Sequence, residues 1–533
     1  MSDQIKRIDA PELKRQLHDG GEIALLDARE EGMFGQRHLL MASCVPLSRL
    51  ELLVDDLVPR RGARVVWCDD GDGSALPAAA RMAALGYRDV AVLEGGIAGW
   101  EAAGYRVYSG VHVPSKAFAE VVEHEAGTPY VSAPELKALI DGGTDIAIFD
   151  SRSYEEYNNN SIPTAISVPG AELVYRFPDL APSPETTIIV NCGGRTRSII
   201  GAQSLRNAGF PNKIVSLKDG TMAWHLAGFE VVHGATRRPP AVSEHGRAAA
   251  IAAAARVAAR GGIRRIDRAT LAAWQQQADR RTLYVLDVRT PEEYAAGHLA
   301  AARLAPGGQL VQETDVHIAV WGARIVLVDD NGVRATMTAS WLKQMGWSDV
   351  AVLAAGPADG EWATGPHRQH VPGLDAAAAA TIEPAALHAR LAQGRIAIID
   401  LDTSRRFGQG HIPGAWFAIR SRLAEALEKL PAADLVVLTS PDGALARLAA
   451  AELAGGSVAV AALAGGTEAW TGAGYPLETG AARMASPPDD VVLSARERGQ
   501  GREEAMREYL AWEINLVNDM ATDDDQRFRI VGG

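Results

Sequence analysis

The sequence predicts an α/β protein made of four tandem three-layer units, each a parallel sheet flanked by helices, followed by a C-terminal helical tail. Three observations support this fold class. An apolar strand ending in aspartate occurs four times, a second apolar strand follows each one about 40 residues later, and a turn rich in glycine and tryptophan closes the repeat. Short apolar strands without polar alternation are typical of parallel sheets covered on both faces.

The first strand of each repeat ends in an aspartate and is followed by a polar turn. These strands read IALLDAR, IAIFDSR, LYVLDVR and IAIIDLD, and their aspartates are Asp27, Asp150, Asp287 and Asp400. Arg152 follows Asp150 by two residues, and we expect these two side chains to form a structural ion pair near the functional loop. A segment resembling G-H-I-x-x-A comes next, and its recurring histidines are interpreted as structural hydrogen-bonding groups: His38, His298 and His411.

The second strand and the closing turn set the length of the repeat. The second strands read RVVWC, TIIVNC, RIVLVD and LVVLTS, and the turns read VLEGGIAGW, SLKDGTMAW, VLAAGPADGEW and ALAGGTEAW. Cys68 precedes Trp100 by 32 residues, and Cys192 precedes Trp224 by the same number. This equal spacing indicates that the first two repeats share one register, and the tryptophans of all four turns are expected to lie in the core.

These patterns place four domains and a tail. The predicted ranges are 1–110, 124–235, 261–370 and 380–480 for the repeats and 481–533 for the tail. An alanine-rich helix is expected at 248–260. In the tail, REEAMREYLAWEINLVNDM predicts one helix, with Met506, Tyr509, Leu510, Ile514 and Val517 near one face. The last segment, DDDQRFRIVGG, is expected to be loosely ordered.

Composition excludes several classes of function. The net charge of −13 disfavours nucleic acid as a partner, because little basic surface would neutralise phosphates. No run of about 18 apolar residues predicts a membrane-spanning helix, and the polar N-terminus lacks the apolar stretch of a secretory signal. Three cysteines in 533 residues cannot form a disulfide framework, and no Cys/His cluster has the spacing of a metal site. We therefore expect a cytoplasmic protein with no membrane association and no metal.

The loop after the second strand is the candidate functional site of each repeat, because ligands of open parallel sheets bind beyond the carboxyl ends of the strands. The four loops are interpreted as starting at one common position of the repeat. Only the first two then start with a thiol. The starting residues are Cys68, Cys192, Asp329 and Ser440.

Cys192 is predicted to be the catalytic nucleophile. A cysteine that opens a loop into a helix can face several backbone N–H groups and the positive end of the helix dipole, which favour the thiolate and lower its pKa. Arg195 and Arg197 add positive charge, and Gly193 and Gly194 let the backbone curl around the sulfur. An inert core cysteine is the alternative, but the loop is too polar for a core segment.

Cys68 and Cys44 are weaker candidates. The loop after Cys68 carries Asp69, Asp70 and Asp72 and no arginine, and carboxylates disfavour a thiolate and repel an anionic donor. Cys68 is therefore interpreted as a degenerate second site, although a thiol that serves a neutral or cationic partner stays open. Cys44 lies where the chain enters a strand and is expected to have a packing role.

Taken together, these motifs resemble the rhodanese domain family. The D-x-R after the first strand, the GHIPGA segment that stands intact at 410–415, the six-residue loop led by Cys192 and the G-G-x-x-x-W turn carry the resemblance. It covers the four units, roughly residues 1–480, as four rhodanese-like domains. Arg197 stands where members with a C-x-x-G-x-R loop have arginine, whereas Arg195 stands where those members have glycine.

The resemblance implies a sulfurtransferase. The loop cysteine would take a sulfane sulfur from a small anionic donor such as thiosulfate and pass it, as a persulfide, to cyanide, a thiol or a protein acceptor, with no metal or organic cofactor. The loop residues would bind the donor: Gly193, Gly194, Arg195, Thr196, Arg197 and Ser198. Units three and four lack the cysteine and resemble the inactive domains of the family. A homo-oligomer stays open.

Two other interpretations remain. The C-G-G opening resembles mercaptopyruvate sulfurtransferases and persulfide-handling enzymes, although two arginines suit a compact dianion better. A non-catalytic scaffold of rhodanese-like binding modules would explain the repeats without cysteine. A phosphatase variant of the fold is disfavoured, because Ser198 stands where that chemistry needs an arginine.

Overall fold

The structure is a computed structural model, and it describes residues 5–354, 362–391, 394–456 and 458–531. The α/β class predicted from the sequence is confirmed. Within these residues, each repeat folds as a parallel sheet with helices beside it. No helix of the described part of the chain is long and apolar enough to cross a membrane.

The first two repeats have corresponding elements. The first consists of β1 (Lys6–Ile8), α1 (Ala10–His18), β2 (Ile23–Asp27), α2 (Glu31–Phe34), β3 (Ser43–Cys44), α3 (Leu50–Leu57), β4 (Arg64–Cys68), α4 (Ala75–Ala84), β5 (Asp89–Leu93) and α5 (Gly96–Ala102). A helix, α6 (Val113–Ala126), leads to the second repeat. That repeat consists of β6 (Tyr130–Val131), α7 (Ala133–Asp141), β7 (Ile146–Asp150), α8 (Tyr154–Asn159), β8 (Ile166–Ser167), α9 (Glu172–Leu180), β9 (Thr187–Asn191), α10 (Thr196–Asn207), β10 (Ile214–Leu217) and α11 (Gly220–Leu226).

The alanine-rich helix predicted at 248–260 is confirmed as α12 (Glu244–Gly261). The third repeat then consists of β11 (Arg264–Ile266), α13 (Arg268–Gln275), β12 (Leu283–Asp287), α14 (Pro291–Ala296), β13 (His298–Leu299), β14 (Arg303–Leu304), α15 (Gly307–Gln312), β15 (Val320–Trp321), β16 (Arg324–Val328), α16 (Val333–Gln344), β17 (Asp349–Leu353) and β18 (Trp362–Ala363). The fourth consists of β19 (Thr381–Ile382), α17 (Pro384–Leu391), β20 (Ile396–Asp400), α18 (Ser404–Gln409), β21 (Trp416–Phe417), α19 (Leu423–Glu428), β22 (Leu435–Thr439), α20 (Ala444–Glu452), β23 (Ala459–Leu463) and α21 (Gly466–Gly472).

All four sheets have the same strand order. In the second repeat the order is β6-β10-β9-β7-β8, with every pair parallel, and the other three repeats follow it strand for strand. The strand that precedes the candidate loop, β9, lies in the middle of its sheet. Its buried residues pack on both faces, which explains why the sequence shows no polar alternation there.

The described chain divides into two compact units. One contains most of the first repeat together with the fourth, and the other contains the second and third repeats with the C-terminal tail and the segment Arg15–Ile23. In the first unit a buried ion pair joins Arg420 of the fourth repeat to Glu51 of the first, 2.7 Å apart. In the second unit Arg334 of the third repeat lies 2.7 Å from Glu172 of the second. The first repeat thus packs with the fourth, and the second repeat packs with the third.

The recurring histidines have the structural role predicted from their spacing. In each case the ring Nδ1 lies within hydrogen-bonding distance of a backbone carbonyl four residues earlier, and the ring stacks on the aromatic side chain there: His38 on Phe34, His298 on Tyr294, His411 on Phe407.

The turn tryptophans are buried in three repeats, at Trp100, Trp224 and Trp470. The prediction is wrong for Trp362, which is 42% exposed. Trp362 belongs to the short strand β18, which pairs antiparallel with β13, rather than to a core-facing helix. The rest of that turn, residues 355–361, lies outside the described residues.

The tail is a single long helix, α22 (Arg502–Met520), as predicted. The predicted apolar face is only partly right, because Met506 and Leu510 are buried whereas Ile514 is 45% exposed. Glu513 is buried instead, next to Ile514 in the sequence, because its carboxylate accepts a hydrogen bond from the Thr196 hydroxyl inside the protein. The expectation of a loosely ordered end is also wrong for Phe528, whose ring packs edge-on against Phe118. Gly532 and Gly533 lie outside the described residues.

Candidate active site

Cys192 is the first residue after the central strand β9, at the carboxyl edge of the sheet. The loop that begins with Cys192 is held to the first turn of α11, because the Cys192 carbonyl accepts a hydrogen bond from the Thr221 N–H (2.9 Å) and the Gly193 carbonyl accepts one from the Met222 N–H (3.1 Å). Gly220, with φ of 56°, passes so close to the Cys192 carbonyl that a Cβ there would overlap it. This close approach explains the glycine of the G-x-x-x-W turn.

The loop of the first repeat does not start where the sequence pattern placed it, whereas the loops at Cys192, Asp329 and Ser440 do start at one common position. Asp27 lies opposite Cys68 in the sheet register, whereas Asp150 lies opposite Asn191, one residue before Cys192. Cys68 is therefore the last residue of its strand, and Asp69 is the residue that corresponds to Cys192. The interpretation of Cys68 as a second, degenerate nucleophile position is wrong for this reason. The equal 32-residue spacing suggested a wrong alignment, because the connection between α4 and β5 is one residue shorter than the one between α10 and β10.

In the other three repeats, the side chain at the position of Cys192 accepts hydrogen bonds from backbone N–H groups of its own loop. The Asp69 carboxylate accepts hydrogen bonds from the N–H groups of Gly71 and Ala75, at 3.1 and 3.0 Å. The Asp329 carboxylate accepts from Gly332 and from Ala335, the latter at 3.2 Å, and the Ser440 hydroxyl accepts from Ala446 at 3.3 Å. An internal side chain thus fills the cradle of amides that an anion would need.

The thiol of Cys192 is buried and only 2% of the residue is exposed. Its Sγ lies 3.4 Å from the Ser198 hydroxyl, at the start of α10. Burial raises the pKa of this thiol, and the opposing effects of Arg197 and of hydrogen bonding with Ser198 do not fully offset it. The expectation of a pKa below the ordinary value is therefore wrong for this closed arrangement, because desolvation outweighs the positive charge.

Arg195 does not face an open anion site. Its guanidinium is 4% exposed and forms ion pairs with Glu120 (2.6 Å), with Glu123 and with Asp219 (2.7 Å). These three carboxylates accept four hydrogen bonds from the guanidinium and surround its positive charge. The prediction that Arg195 binds the donor thus finds no support, and its contacts instead fasten the loop to α6.

Arg197 is the loop arginine whose positive charge favours a lower pKa for the Cys192 thiol. The two Nη atoms of its guanidinium donate hydrogen bonds to the two carboxylate oxygens of Glu156, at 2.5 and 2.8 Å, and one of them also donates to Gln309 Oε1 at 3.2 Å. The pair lowers the pKa of Glu156 to about 2. Below the loop, Arg152 binds Asp150 through two hydrogen bonds of 2.9 and 2.7 Å, which is the predicted structural pair.

Helix α22 contributes residues to the loop that the sequence motifs did not indicate. Thr196 donates to Glu513 Oε1 at 2.6 Å, and a Cβ on Gly194 would lie 3.3 Å from Glu513 Oε2 and 3.4 Å from the ring of Tyr509. Burial raises the pKa of both Glu513 and Tyr509. These contacts close the loop against solvent, and a tail without any motif gave no signal for them.

Arg496 also lies on the loop, just before α22. Its guanidinium occupies the space that a Cβ on Gly193 would need, so a side chain at position 193 would displace it. It hydrogen bonds to the Thr221 hydroxyl at 3.3 Å and lies 4.0 Å from Glu156 Oε1. Burial and the charges of Arg152 and Arg197 lower the pKa of Arg496, and the opposing charge of the Glu156 carboxylate does not fully offset them.

Comparison with known proteins identifies the class. The family description "Rhodanese-like domain" matches four segments, at 9–103, 132–227, 269–359 and 383–473. These segments cover well over half of the chain, which therefore belongs to the rhodanese-like domain family. Four tandem copies, predicted from the repeats, are confirmed. All of the matched segments end before Arg496.

Three proteins illustrate the range of similarity. A crystal structure titled thiosulfate sulfurtransferase, from Pseudomonas aeruginosa, superposes with a TM-score of 0.94 at 48% identity and covers 99% of this chain and 100% of that one. A putative sulfur carrier protein, YrkF, from Bacillus subtilis is 28% identical over 102 residues. An HTH-type transcriptional regulator, Rv0324, from Mycobacterium tuberculosis is 33% identical over 107 residues. The chain spans about half the length of these two curated relatives, 54% and 45%.

Proposed function

We propose that this protein is a sulfurtransferase that moves a sulfane sulfur from thiosulfate, or a similar anionic donor, to cyanide or a thiol through a persulfide on Cys192. One observation carries the proposal: Cys192 places a thiol at the loop position where the other repeats have Asp69, Asp329 and Ser440. The whole-chain similarity to a protein titled thiosulfate sulfurtransferase supports the choice of donor.

The chemistry follows from the thiol and its loop. The Cys192 thiolate attacks the sulfane sulfur of thiosulfate, a new S–S bond forms, and the S–S bond of the donor breaks with its electron pair leaving on sulfite. The acceptor then attacks the outer sulfur of the persulfide. Cyanide leaves as thiocyanate, and the Cys192 thiolate is regenerated. The two half-reactions balance without a metal or organic cofactor.

The loop is suited to stabilise the charged forms. Arg197 and the hydrogen bonds from Ser198 favour negative charge on the sulfur at Cys192. The N-terminal end of α10, a helix of 12 residues, adds the positive end of its dipole. In a buried loop such interactions act at low local dielectric and therefore act strongly.

Intact-mass measurement tests the proposal. Thiosulfate without acceptor should leave the protein heavier by one sulfur atom, on the peptide that contains Cys192, and cyanide should remove it. Cys192→Ser should never gain the atom, whereas Cys68→Ser should gain it. A non-catalytic scaffold predicts no adduct with any sulfane donor. Faster turnover with mercaptopyruvate than with thiosulfate would favour the mercaptopyruvate alternative.

A further inference from the structure

We propose that Arg496, in the C-terminal tail, binds the anionic group of the sulfur donor, so that the tail forms part of the donor site. This inference rests on the proposed function and assigns a specificity-determining residue to it. Arg496 lies beyond the last segment matched by the rhodanese description, which ends at residue 473. The donor site would thus be shared between the second domain and a segment that follows the fourth.

The position of Arg496 is the first argument. Its guanidinium lies against the backbone of Gly193, the residue next to the nucleophile, in space that any side chain at 193 would fill. The Arg496 guanidinium also donates a hydrogen bond to the hydroxyl of Thr221. The backbone N–H of Thr221 in turn donates to the Cys192 carbonyl. The cation therefore lies directly against the cysteine loop.

The balance of charge is the second argument. Each of the other loop arginines has a carboxylate within 3 Å: Asp150 for Arg152, Glu120 for Arg195 and Glu156 for Arg197. Arg496, by contrast, hydrogen bonds to a neutral hydroxyl, and the Glu156 carboxylate 4.0 Å away is already gripped by Arg197. Within the described residues, the site thus carries one arginine without a carboxylate of its own.

The reaction needs such a group. A thiolate that attacks thiosulfate brings another negative charge toward a dianion, and sulfite must then leave with its charge. A guanidinium can hold two oxygens of a sulfonate at once, which makes arginine a better match than a point charge. Because Cys192 is 2% exposed, a donor can contact its sulfur only if the covering tail residues shift, and Arg496 is carried by that segment.

The test compares Arg496→Ala with Arg496→Lys and with Arg498→Ala, a control two residues away whose side chain is exposed. Persulfide loading is followed by mass at increasing thiosulfate concentration. We expect the half-saturating thiosulfate concentration to rise at least tenfold in Arg496→Ala, to recover partly in Arg496→Lys, and to stay at the wild-type value in Arg498→Ala. Inhibition by sulfite should weaken in parallel.

A second measurement separates donor binding from a structural role. Alkylation of Cys192 by iodoacetamide, an uncharged probe, should change much less than thiosulfate loading in Arg496→Ala. An equal fall in both rates, or a wild-type dependence on thiosulfate, would overturn the inference. If the wild-type protein loads no sulfur from any sulfane donor, the proposed function itself fails, which is a different result.

Discussion

Asp69 and Cys192 occupy the same position in two repeats: the carbonyl of each accepts a 2.9 Å hydrogen bond from the corresponding turn residue, Ile97 or Thr221. The Asp69 carboxylate turns back into its own loop and binds the amides of Gly71 and Ala75. In the first domain, a carboxylate therefore occupies the backbone N–H groups of the loop. In the second domain, the corresponding loop begins with the sulfur of Cys192. Cys68, one residue earlier, is completely buried at the end of its strand.

The first prediction concerns Cys68. Cys68→Ser should keep most of the sulfurtransfer activity, because burial and neighbouring carboxylates hold the pKa of this thiol well above its ordinary value. Steady-state rates with thiosulfate and cyanide check this, with Cys192→Ser as the inactive reference. Loss of nearly all activity in a folded Cys68→Ser protein would contradict the assignment of the nucleophile.

The second prediction concerns Arg195. Arg195→Met should destabilise the protein by about 3 kcal/mol or more, because it leaves Glu120 and Glu123 without their buried cation. Denaturant unfolding measures the loss, and Arg195→Met with Glu120→Gln and Glu123→Gln should recover much of it. A large rise in the thiosulfate KM at unchanged stability would instead show that Arg195 binds the donor.

The third prediction concerns the pH dependence of the nucleophile. Arg197→Met removes a charge that lowers the pKa of Cys192 and leaves the Glu156 carboxylate without its main cationic partner. The pH midpoint of Cys192 alkylation should move upward by about one unit or more. Arg197→Met combined with Glu156→Gln removes both charges and should move it less. An unchanged midpoint would contradict the role of Arg197.

The fourth prediction follows from the domain that lacks the D-x-R arginine. Asp402 stands there in place of arginine, and burial raises the pKa of Asp400 to about 7. The folded protein binds the extra proton between the unfolded value near 3.8 and about 7, so stability falls as pH rises through that range. Asp400→Asn should remove this loss, and the gain in Tm over wild type should be larger at pH 8 than at pH 5.

A contrasting variant checks the cause. Asp287→Asn, in the third domain, breaks the hydrogen-bonded pair with Arg289 and should lower stability at pH 8. Asp402→Arg should stabilise the fourth domain at pH 8 by supplying the missing partner. A gain for Asp400→Asn that is equal at both pH values would show that the buried carboxylate does not titrate in this range.

The fifth prediction concerns the covering of the site by α22. Leu510 packs with Met506 and Met222 beside the loop, and Leu510→Ala should weaken that packing by about 2 kcal/mol or more. Alkylation of Cys192 by iodoacetamide should then become about thirtyfold faster, since every 1.4 kcal/mol corresponds to a factor of ten in population. Ile514→Ala, at an exposed position of the same helix, is the matched control. Equal rates in all three proteins would contradict a covering role.

The repeats, the fold class and the position of Cys192 were predictable because each depends on local patterns that recur along the chain. The offset of Cys68 by one residue was not predictable, because a connection between α4 and β5 that is one residue shorter restores the same spacing to Trp100, and only the strand register reveals it. Arg195 and Arg197 look alike in sequence, yet their carboxylate partners come from different helices, α6 and α8. Arg496 lies some 300 residues from Cys192 and carries no motif.

The pairing of the first domain with the fourth also has a consequence for biosynthesis. Glu51 emerges from the ribosome long before its buried partner Arg420, with the second and third domains translated in between. At a rate of synthesis of roughly 5–20 residues per second, about 20 to 70 seconds pass between Glu51 and Arg420, and the surface around Glu51 is uncovered during that time. During this interval the buried face of the first domain is exposed, whereas the second and third domains are translated one directly after the other.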